Sequence, residues 1–418
     1  MTSRERLQKT LQHKPVDRVC VDFGATHVTG ITAGTLSKLR KAVLGDENYR
    51  VKVIEPYQML GEIDDLLLEA LGIDVMAVLR PKTMFGFRNS AWKPFTMFDG
   101  TEVLVPGQFN VTPAPGGGWF MHPQGDTSVP PSGHMPQDGF YFDAICRQEP
   151  IDEKKLDPAD NLEDFGLLDH EDIRTLTDAA DQAAQKGKGS IISTPGTSFG
   201  DIALVPAPWM KRTKGIRDVE EWYVSTVARR DYVYKVFEGQ CEMALKNLEL
   251  LAPALGDKVQ AAFTTGTDFG TQCGTFISPQ TYRDLFMPFH KTINEYIHQH
   301  TSWKIFIHSC GAVYDLIGDF IEAGFDILNP VQCSAAGMDP KRLKKEFGPD
   351  LVFWGGGVDT QKTLPFGTPD EVYQEVRERI DLFGKDSGFV FNAIHNIQAN
   401  TPVKNILALF GAIKDSSR

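Results

Sequence analysis

Short apolar runs recur along the chain and alternate with longer amphipathic stretches. Most runs are rich in Val, Ile and Phe and lack strict polar–apolar alternation, which is typical of strands buried on both faces. Eight parallel strands are predicted, at residues 18–24, 74–80, 189–194, 259–265, 303–310, 325–330, 351–358 and 388–394. Amphipathic helices are predicted at residues 218–251, 278–300, 312–323, 339–347 and 368–383. This order predicts an α/β protein with the architecture of a (β/α)8 TIM barrel.

A doubly wound open sheet is the alternative fold for such an alternation. No G-x-G-x-x-G sequence follows any of the predicted strands, so the dinucleotide site that often accompanies that fold has no support here. We therefore favour the barrel.

Residues 85–155 depart from the alternation of strands and helices. They are rich in Phe, Tyr and Trp and contain Pro-Pro, Gly-Gly-Gly and Asp-Gly turn signals. We predict a β-rich, aromatic-rich insertion at 85–155 after the second strand, with the barrel formed by residues 1–84 and 156–418. The insertion is interpreted either as a small satellite core or as a lid or docking element over the barrel mouth.

Composition and charge narrow the classes of partner. Hydrophobic residues make up 41% of the chain and charged residues 23%, which is ordinary for a globular protein. The formal net charge of -12 argues against nucleic acid or an anionic membrane surface as the main partner. The first residues lack the apolar segment of a secretory signal, and no run of 18 apolar residues occurs, so we expect a cytoplasmic protein with reduced cysteines.

Histidine and cysteine residues stand at the ends of several predicted strands. His308 and Cys310 end the fifth strand, Cys333 follows the sixth, and His395 ends the eighth. Because the carboxyl ends of barrel strands meet at one mouth, these four residues are candidate ligands of a metal site of zinc (Zn2+) type. Their wide spacing favours an open catalytic site over a compact structural one. The alternative for each residue is an ordinary packing role.

Four other polar residues at the strand ends are candidates for catalysis and substrate binding. Asp268 and Gln272 follow the fourth strand and are the candidate catalytic residues. Asp268 could instead be a metal ligand, a substrate anchor or a supporting residue. Asn329 in the sixth strand and Asp359 after the seventh are the candidate substrate-binding residues.

The chain resembles the uroporphyrinogen decarboxylase superfamily, and within it the corrinoid-dependent methyltransferase-like branch. The resemblance is dense from about residue 259 onward and thin over the insertion. Among its carriers are Asp268-Phe269-Gly270-Thr271-Gln272, His308-Ser309-Cys310-Gly311, Gly356-Gly357-Val358-Asp359 and His395-Asn396-Ile397-Gln398. It implies a (β/α)8 barrel and one of two activities, metal-free porphyrinogen decarboxylation or zinc-dependent methyl transfer to or from a corrinoid protein.

Two departures from the family patterns bear on the choice between these activities. The decarboxylases open with an arginine-rich segment that grips substrate carboxylates, whereas residues 23–27 of this chain contain no arginine. The zinc methyltransferases carry His-x-Cys and a distant third cysteine, and His395 stands where that cysteine would align. The resemblance thus implies His308 and Cys310 as ligands, with His395 or Cys333 as the third.

These observations favour a zinc-dependent methyltransferase. It would exchange a methyl group between a small methylated substrate, of aryl methyl ether, methylamine or thiol type, and a corrinoid (cobalamin) carried by a partner protein. The aromatic insertion favours an aryl methyl ether and hence O-demethylation. The alternatives are a metal-free decarboxylase and a non-enzymatic corrinoid-binding or scaffold protein. A homodimer is an assembly compatible with the sequence.

Overall fold

The computed structural model describes residues 1–162 and 166–416. Eight short strands form one all-parallel sheet, each within one of the eight predicted runs. They are β1 (Cys20–Val21), β2 (Val75–Val78), β3 (Gly189–Ser193), β4 (Ala261–Thr265), β5 (Lys304–His308), β6 (Ile327–Asn329), β7 (Val352–Trp354) and β8 (Phe389–Phe391). Their order in the sheet is β1-β8-β7-β6-β5-β4-β3-β2. This order is that of a (β/α)8 barrel, and the predicted fold is confirmed.

Helices occupy the stretches between the strands. They are Ser3–Leu11, Ala33–Leu44, Asp65–Leu71, Ala159–Leu162, His170–Gln185, Val219–Ala228, Arg230–Leu255, Pro279–Thr281, Met287–His300, Ile317–Glu322, Pro340–Phe347, Thr363–Phe366, Pro369–Phe383 and Val403–Asp415. Short 3-10 turns lie at Pro123–Gly125, Gly256–Lys258 and Tyr314–Leu316, and a π-helical turn at Tyr282–Phe286 interrupts the predicted helix 278–300. Within the described ranges, no helix is both long and apolar enough to cross a membrane.

The interior of the barrel is filled by inward-facing apolar side chains from the strands. Leu7 and Leu11 of the first helix are buried in the same cluster, together with Phe263, Phe306 and Trp354. Such layers make the barrel a packed core and confine an open cavity to its mouth. Trp354 also makes a polar contact there: its indole Nε1 donates a 2.8 Å hydrogen bond to Oδ2 of the fully buried Asp22.

A buried carboxylate joins β1 and β2, which stand at the two edges of the sheet order. Asp74, just before β2, donates its backbone N–H to the carbonyl of Val21 at 2.8 Å and accepts the Val21 N–H on its carboxylate at 3.0 Å. Arg6 and Arg18 form ion pairs with the same carboxylate at 2.6 and 2.7 Å. Because Asp74 is fully buried, these guanidinium groups compensate a charge that would otherwise be costly.

Antiparallel strands follow β2, as the sequence predicts. Lys93–Thr96 pairs with Glu102–Val105, and a four-stranded sheet contains Val111–Pro113, Trp119–Met121, Gly133–Met135 and Asp143–Ala144. Phe85 and Phe109 are buried, and each contacts the buried ring of Phe142, with ring centroids 5.6 and 6.0 Å apart, respectively. The segment therefore contains the aromatic core predicted for it. Its boundaries at residues 85 and 155 remain our proposal.

Candidate metal centre at the barrel mouth

Three metal-ligating side chains meet where the strands end. His308 is the last residue of β5, Cys310 follows closely, and His395 lies in the loop after β8. One potential ligand atom from each lies within 4.8 Å of those of the other two. The Sγ atom of Cys310 is 3.3 Å from Nε2 of His308. The structure thus brings together three of the four predicted metal ligands, and we call His308, Cys310 and His395 the ligand group.

The ring of His308 is oriented by Asn329. The Nδ2 amide of Asn329 donates to the carbonyl of Trp354 at 2.6 Å, and its Oδ1 lies 2.5 Å from Nδ1 of His308. Since only a donor can face a carbonyl, the amide oxygen must face the imidazole, and Nδ1 must carry the proton. The lone pair of His308 is therefore on Nε2, beside Cys310. This is the tautomer that a metal-bound histidine requires.

His395 is held by its own turn. Its backbone has a φ of 67°, and its Nδ1 accepts the backbone N–H of Asn396 at 2.8 Å. The side chain of Asn396 fixes this turn by accepting the N–H of Gly30 at 2.5 Å and donating to the carbonyl of His27 at 3.0 Å. A neutral His395 in this arrangement carries its proton on Nε2. Ligation through Nε2 would therefore require the proton to move to Nδ1, whereas His308 needs no such change.

Asp268 supports the ligand group from the loop after β4. Its Oδ1 accepts the backbone N–H of Cys310 at 2.6 Å and lies 3.8 Å from Nε2 of His308. The backbone carbonyl of Asp268 accepts the phenol of Tyr223 at 2.9 Å, which fixes the loop. Burial raises the pKa of this carboxyl above its ordinary value. Asp268 is thus placed to hold a proton next to the ligand group.

Burial also sets the protonation of the ligand group. It lowers the pKa of His308 to about 4 and that of His395 to about 3, so both imidazoles are neutral near pH 7. Burial and the carboxylate of Asp268 raise the pKa of the Cys310 thiol. Neutral imidazoles are the form that binds metals, and a cation would favour the thiolate of Cys310.

Cys333 is not part of the ligand group. Its thiol donates to the carbonyl of Val331 at 3.3 Å, and burial raises its pKa to about 11. The residue follows β6, but its side chain packs against the apolar core instead of meeting His308. Position after a strand does not determine where the following loop points, which is why the sequence left Cys333 and His395 as equal candidates.

The structure places three further candidates in settings that differ from their predicted roles. Gln272 is exposed, and its side-chain amide lies 3.4 Å from that of Gln361. The carboxylate of Asp359 accepts the N–H groups of Gln361 and Lys362 at 2.7 and 3.1 Å, as turn-capping aspartates do. Asn329 is fully buried, with both ends of its amide bonded to the protein. Of the four candidates for catalysis and substrate binding, Asp268 alone lines the cavity at the mouth.

A cavity of about 800 Å³ lies above the ligand group. Asp268, His308 and His395 contribute to its wall at the ends of the barrel strands. Residues of the insertion also line it, including Gln124, Tyr141, Phe142 and Asp143. Part of the aromatic insertion therefore covers the barrel mouth, in addition to forming its own core.

Sequence reasoning missed several ionisable residues that line this cavity. Among them are His27 after β1, Arg80 after β2 and Asp201 after β3. Glu55 is another, at the end of the strand Val53–Glu55, which pairs with Leu60–Gly61 in a hairpin before β2. Burial raises the pKa of Glu55 to about 7 and that of Asp201 to about 6. His27 and Arg80 stand at predicted strand ends, so a reading of all eight ends would have found them; Glu55 and Asp201 carry no such signal.

Comparison with known proteins gives a family match over the C-terminal half. Residues 202–416 match the family model described as uroporphyrinogen decarboxylase (URO-D). The chain is 23% identical over 353 residues to a uroporphyrinogen decarboxylase of Pseudoalteromonas atlantica, covering 75% of this chain and 94% of that protein. It is also 27% identical over 163 residues to a methylated-thiol–coenzyme M methyltransferase of Methanosarcina mazei, covering 38% of this chain and 40% of that protein.

A solved structure has the same fold over the whole chain. A methyltransferase from Methanosarcina mazei superposes with a TM-score of 0.56 at 15% sequence identity, covering 99% of both chains. At this identity the likeness establishes the fold.

Proposed function

Because the chain belongs to the uroporphyrinogen decarboxylase family, we propose that it is a zinc-dependent methyltransferase acting between a small methylated substrate and a corrinoid protein. Membership of the family confirms the resemblance found in the sequence. The observation that carries the proposal is the convergence of ligand atoms of His308, Cys310 and His395 within 4.8 Å, with both histidines lining the cavity. A metal-free enzyme has no evident need for two neutral imidazoles and a thiol at this point.

The donor set of the ligand group fits zinc. Two imidazole nitrogens and one thiolate are ligands that zinc prefers, and three protein ligands leave a position open for substrate, as in catalytic zinc sites. Asn329 fixes His308 in the tautomer that ligation requires. When bound, the zinc ion supplies a Lewis acid that stabilises negative charge on the heteroatom that carries the methyl group.

Asp268 is the residue proposed to exchange the accompanying proton. Loss of a methyl cation equivalent from an ether leaves an alkoxide or phenolate, which must gain a proton before the alcohol departs. Asp268 is anchored through Oδ1 by the N–H of Cys310, and burial raises its pKa above the ordinary value, which favours the protonated form. Methyl transfer in the opposite direction would use the same carboxyl as a base.

The lining of the cavity supports an aryl methyl ether ahead of a methylamine or a thiol. Tyr57, Tyr141, Phe142 and Trp209 contribute aromatic surface to its wall. A flat aromatic ring gains more from contact with such side chains than a small aliphatic amine does. O-demethylation is therefore the reaction that we propose to test first.

The experiment that tests this proposal combines metal analysis with a screen of methyl donors. We expect purified protein to contain stoichiometric zinc and to methylate Co(I) cobalamin from an aryl methyl ether. His308→Ala and Cys310→Ala should lose both properties, whereas Cys273→Ala, at an exposed cysteine outside the ligand group, should keep them. Absence of zinc, with full activity in the two ligand variants, would refute the proposal and favour a metal-free decarboxylase.

A further inference from the structure

Arg80 is a half-buried cation in the cavity wall, and no residue that the structure describes is its partner. It lies just after β2, and no hydrogen bond or ion pair joins its side chain to any residue in the described ranges. Its Nε is fully buried without a hydrogen-bond partner. A guanidinium carries five N–H donors in a planar fork, so a large donor capacity remains unused. Buried donors without a partner are uncommon in folded proteins, and a bound ligand is one way to satisfy them.

Other arginines of the chain show how a guanidinium group ordinarily finds hydrogen-bond or ion-pair partners. Arg147 is also half-buried and its Nε also lacks a partner, but its two terminal nitrogens donate to the carbonyls of Met210 and Ala207 at 2.6 Å each. Arg88, near the cavity, forms a 2.6 Å ion pair with Asp172. Arg80 lacks both kinds of partner, and this sets it apart as a group available to a ligand.

Asp201 is the acidic residue that acts on Arg80, but it does not neutralise it by contact. Its carboxylate accepts the backbone N–H of Ala203 at 3.0 Å, and no ion pair within 4.0 Å links it to Arg80 among the described residues. Burial lowers the pKa of the Arg80 guanidinium, and the nearby Asp201 opposes this effect. A guanidinium without a protein partner can form two charge-assisted hydrogen bonds with a complementary anion.

We propose that Arg80 binds a carboxylate of the substrate, which is then a methoxy-substituted aromatic acid whose methoxy group reaches the ligand group. This inference rests on the proposed function and specifies its substrate class. Arg80 follows β2, which stands three strands from β5 and two from β8 around the barrel. The anionic end of the substrate would thus lie across the mouth from its reacting end. The carboxylate serves only to bind the substrate and is unchanged by the reaction.

The charges around the cavity favour a singly charged, planar anion. Carboxyl groups of Glu55, Asp143, Asp172, Asp201 and Asp268 line the same space, and ionised members would repel a dianion such as a phosphate ester more than a singly charged anion. Lys82 is the other non-histidine cation of the lining and is exposed, so Arg80 is the less exposed of the two positive charges. A carboxylate matches the guanidinium fork with two parallel hydrogen bonds.

Calorimetric titration of the zinc-loaded protein, without corrinoid, tests the proposal. The probes are 3- and 4-methoxybenzoate, their methyl esters, and the corresponding sulfonates. We compare the methoxybenzoate that wild type binds more tightly with its own methyl ester. Wild type should bind this acid about tenfold more tightly than the ester, or more. Arg80→Met should remove this preference and Arg80→Lys should keep part of it, while ester binding stays unchanged. Lys82→Met is the matched control and should preserve the preference.

Several outcomes would overturn the inference. They are equal binding of acid and ester by wild type, a preference retained in Arg80→Met, tighter binding of the sulfonates, or release of carbon dioxide from the bound acid. If Arg80→Met fails to fold because Asp201 is left buried without its cation, the double variant with Asp201→Asn is titrated instead. Methyl transfer from a donor without a carboxylate tests the proposed methyltransferase function separately. Failure of the carboxylate site at Arg80 can therefore be told apart from failure of the methyltransferase proposal.

Discussion

Oδ1 of Asn329 lies 2.5 Å from Nδ1 of His308, and this contact sets the tautomer of a proposed metal ligand. The pair joins β5 to β6, so the barrel itself orients the imidazole. Residues that orient a ligating histidine commonly contribute as much to metal binding as a weak ligand does. The relationship therefore leads to a direct prediction about zinc affinity.

We predict that Asn329→Ala weakens zinc binding by about 10–100-fold, because His308 loses the acceptor that fixes its ring. Competition with a chromophoric chelator measures the affinity. Asn405→Ala is the matched control, since Asn405 is also buried and donates to backbone carbonyls, of Leu364 and Gly367, outside the ligand group. Wild-type zinc affinity in Asn329→Ala would rule out the orienting role.

The ligand group predicts which substitutions remove the metal. Cys310→Ala and His395→Ala should each reduce the zinc content well below that of wild type, because each deletes one of three proposed donors. Cys333→Ala should retain zinc, since its thiol bonds to the carbonyl of Val331 and lies outside the group. Metal analysis after extensive dialysis measures the content. Zinc loss in Cys333→Ala alone would show that the ligand set is different.

Replacement of Asp268 should separate catalysis from metal binding. Asp268→Asn can still accept the N–H of Cys310 but cannot exchange a proton, so we expect kcat to fall by about 10²–10⁴-fold with zinc content unchanged. Methylation of Co(I) cobalamin measures kcat. Asp359→Asn is the control, because Asp359 caps a turn outside the cavity lining, and its kcat should match wild type. Full activity in Asp268→Asn would exclude the proton-transfer role.

Asp22 gives a prediction about stability and pH. Burial raises its pKa to about 7 in the folded protein, compared with 3.8 ordinarily. Between these values the folded state binds more protons than the unfolded state, so this residue's contribution to stability falls as pH rises towards 7. Asp22→Asn removes the effect, and the unfolding free energy of the variant relative to wild type should rise by about 2–3 kcal/mol between pH 5 and pH 8.

Urea unfolding at the two pH values measures this difference. The control Asp315→Asn, at an exposed position, should keep the pH dependence of wild type. The unfolding free energy of Asp22→Asn relative to wild type could instead stay constant or fall as the pH rises. Either result would show that the buried carboxyl does not titrate as described.

The barrel could be predicted from the sequence because burial on both faces makes its strands uniformly apolar. Each of the eight predicted runs contains one strand, although β1 is only two residues long. The contact between Asp74 and Val21 at the sheet edges could not be predicted in this way. It depends on a side chain that approaches another strand in space and leaves no periodic pattern in the chain.

Site residues next to a strand could be predicted from the sequence. Residues whose positions depend on the path of a loop could be predicted less well. His308 ends β5, and Cys310 follows it at once, so their meeting requires little beyond the barrel. His395 depends on a left-handed turn after β8, and Cys333 on the direction of the loop after β6. Arg80 stands at a predicted strand end, but the sequence does not show that residues of the insertion line the same cavity.

The ion pairs around Asp74 lie at the end of the barrel opposite the ligand group, because Asp74 precedes β2 whereas His308 ends β5. One end of the barrel thus contributes to stability, and the other end holds the candidate site. Substitutions among the loops of the mouth can therefore alter substrate preference without opening the barrel. This division makes the mouth a suitable place to introduce new specificities by directed evolution, provided that Arg6, Arg18 and Asp74 are left untouched.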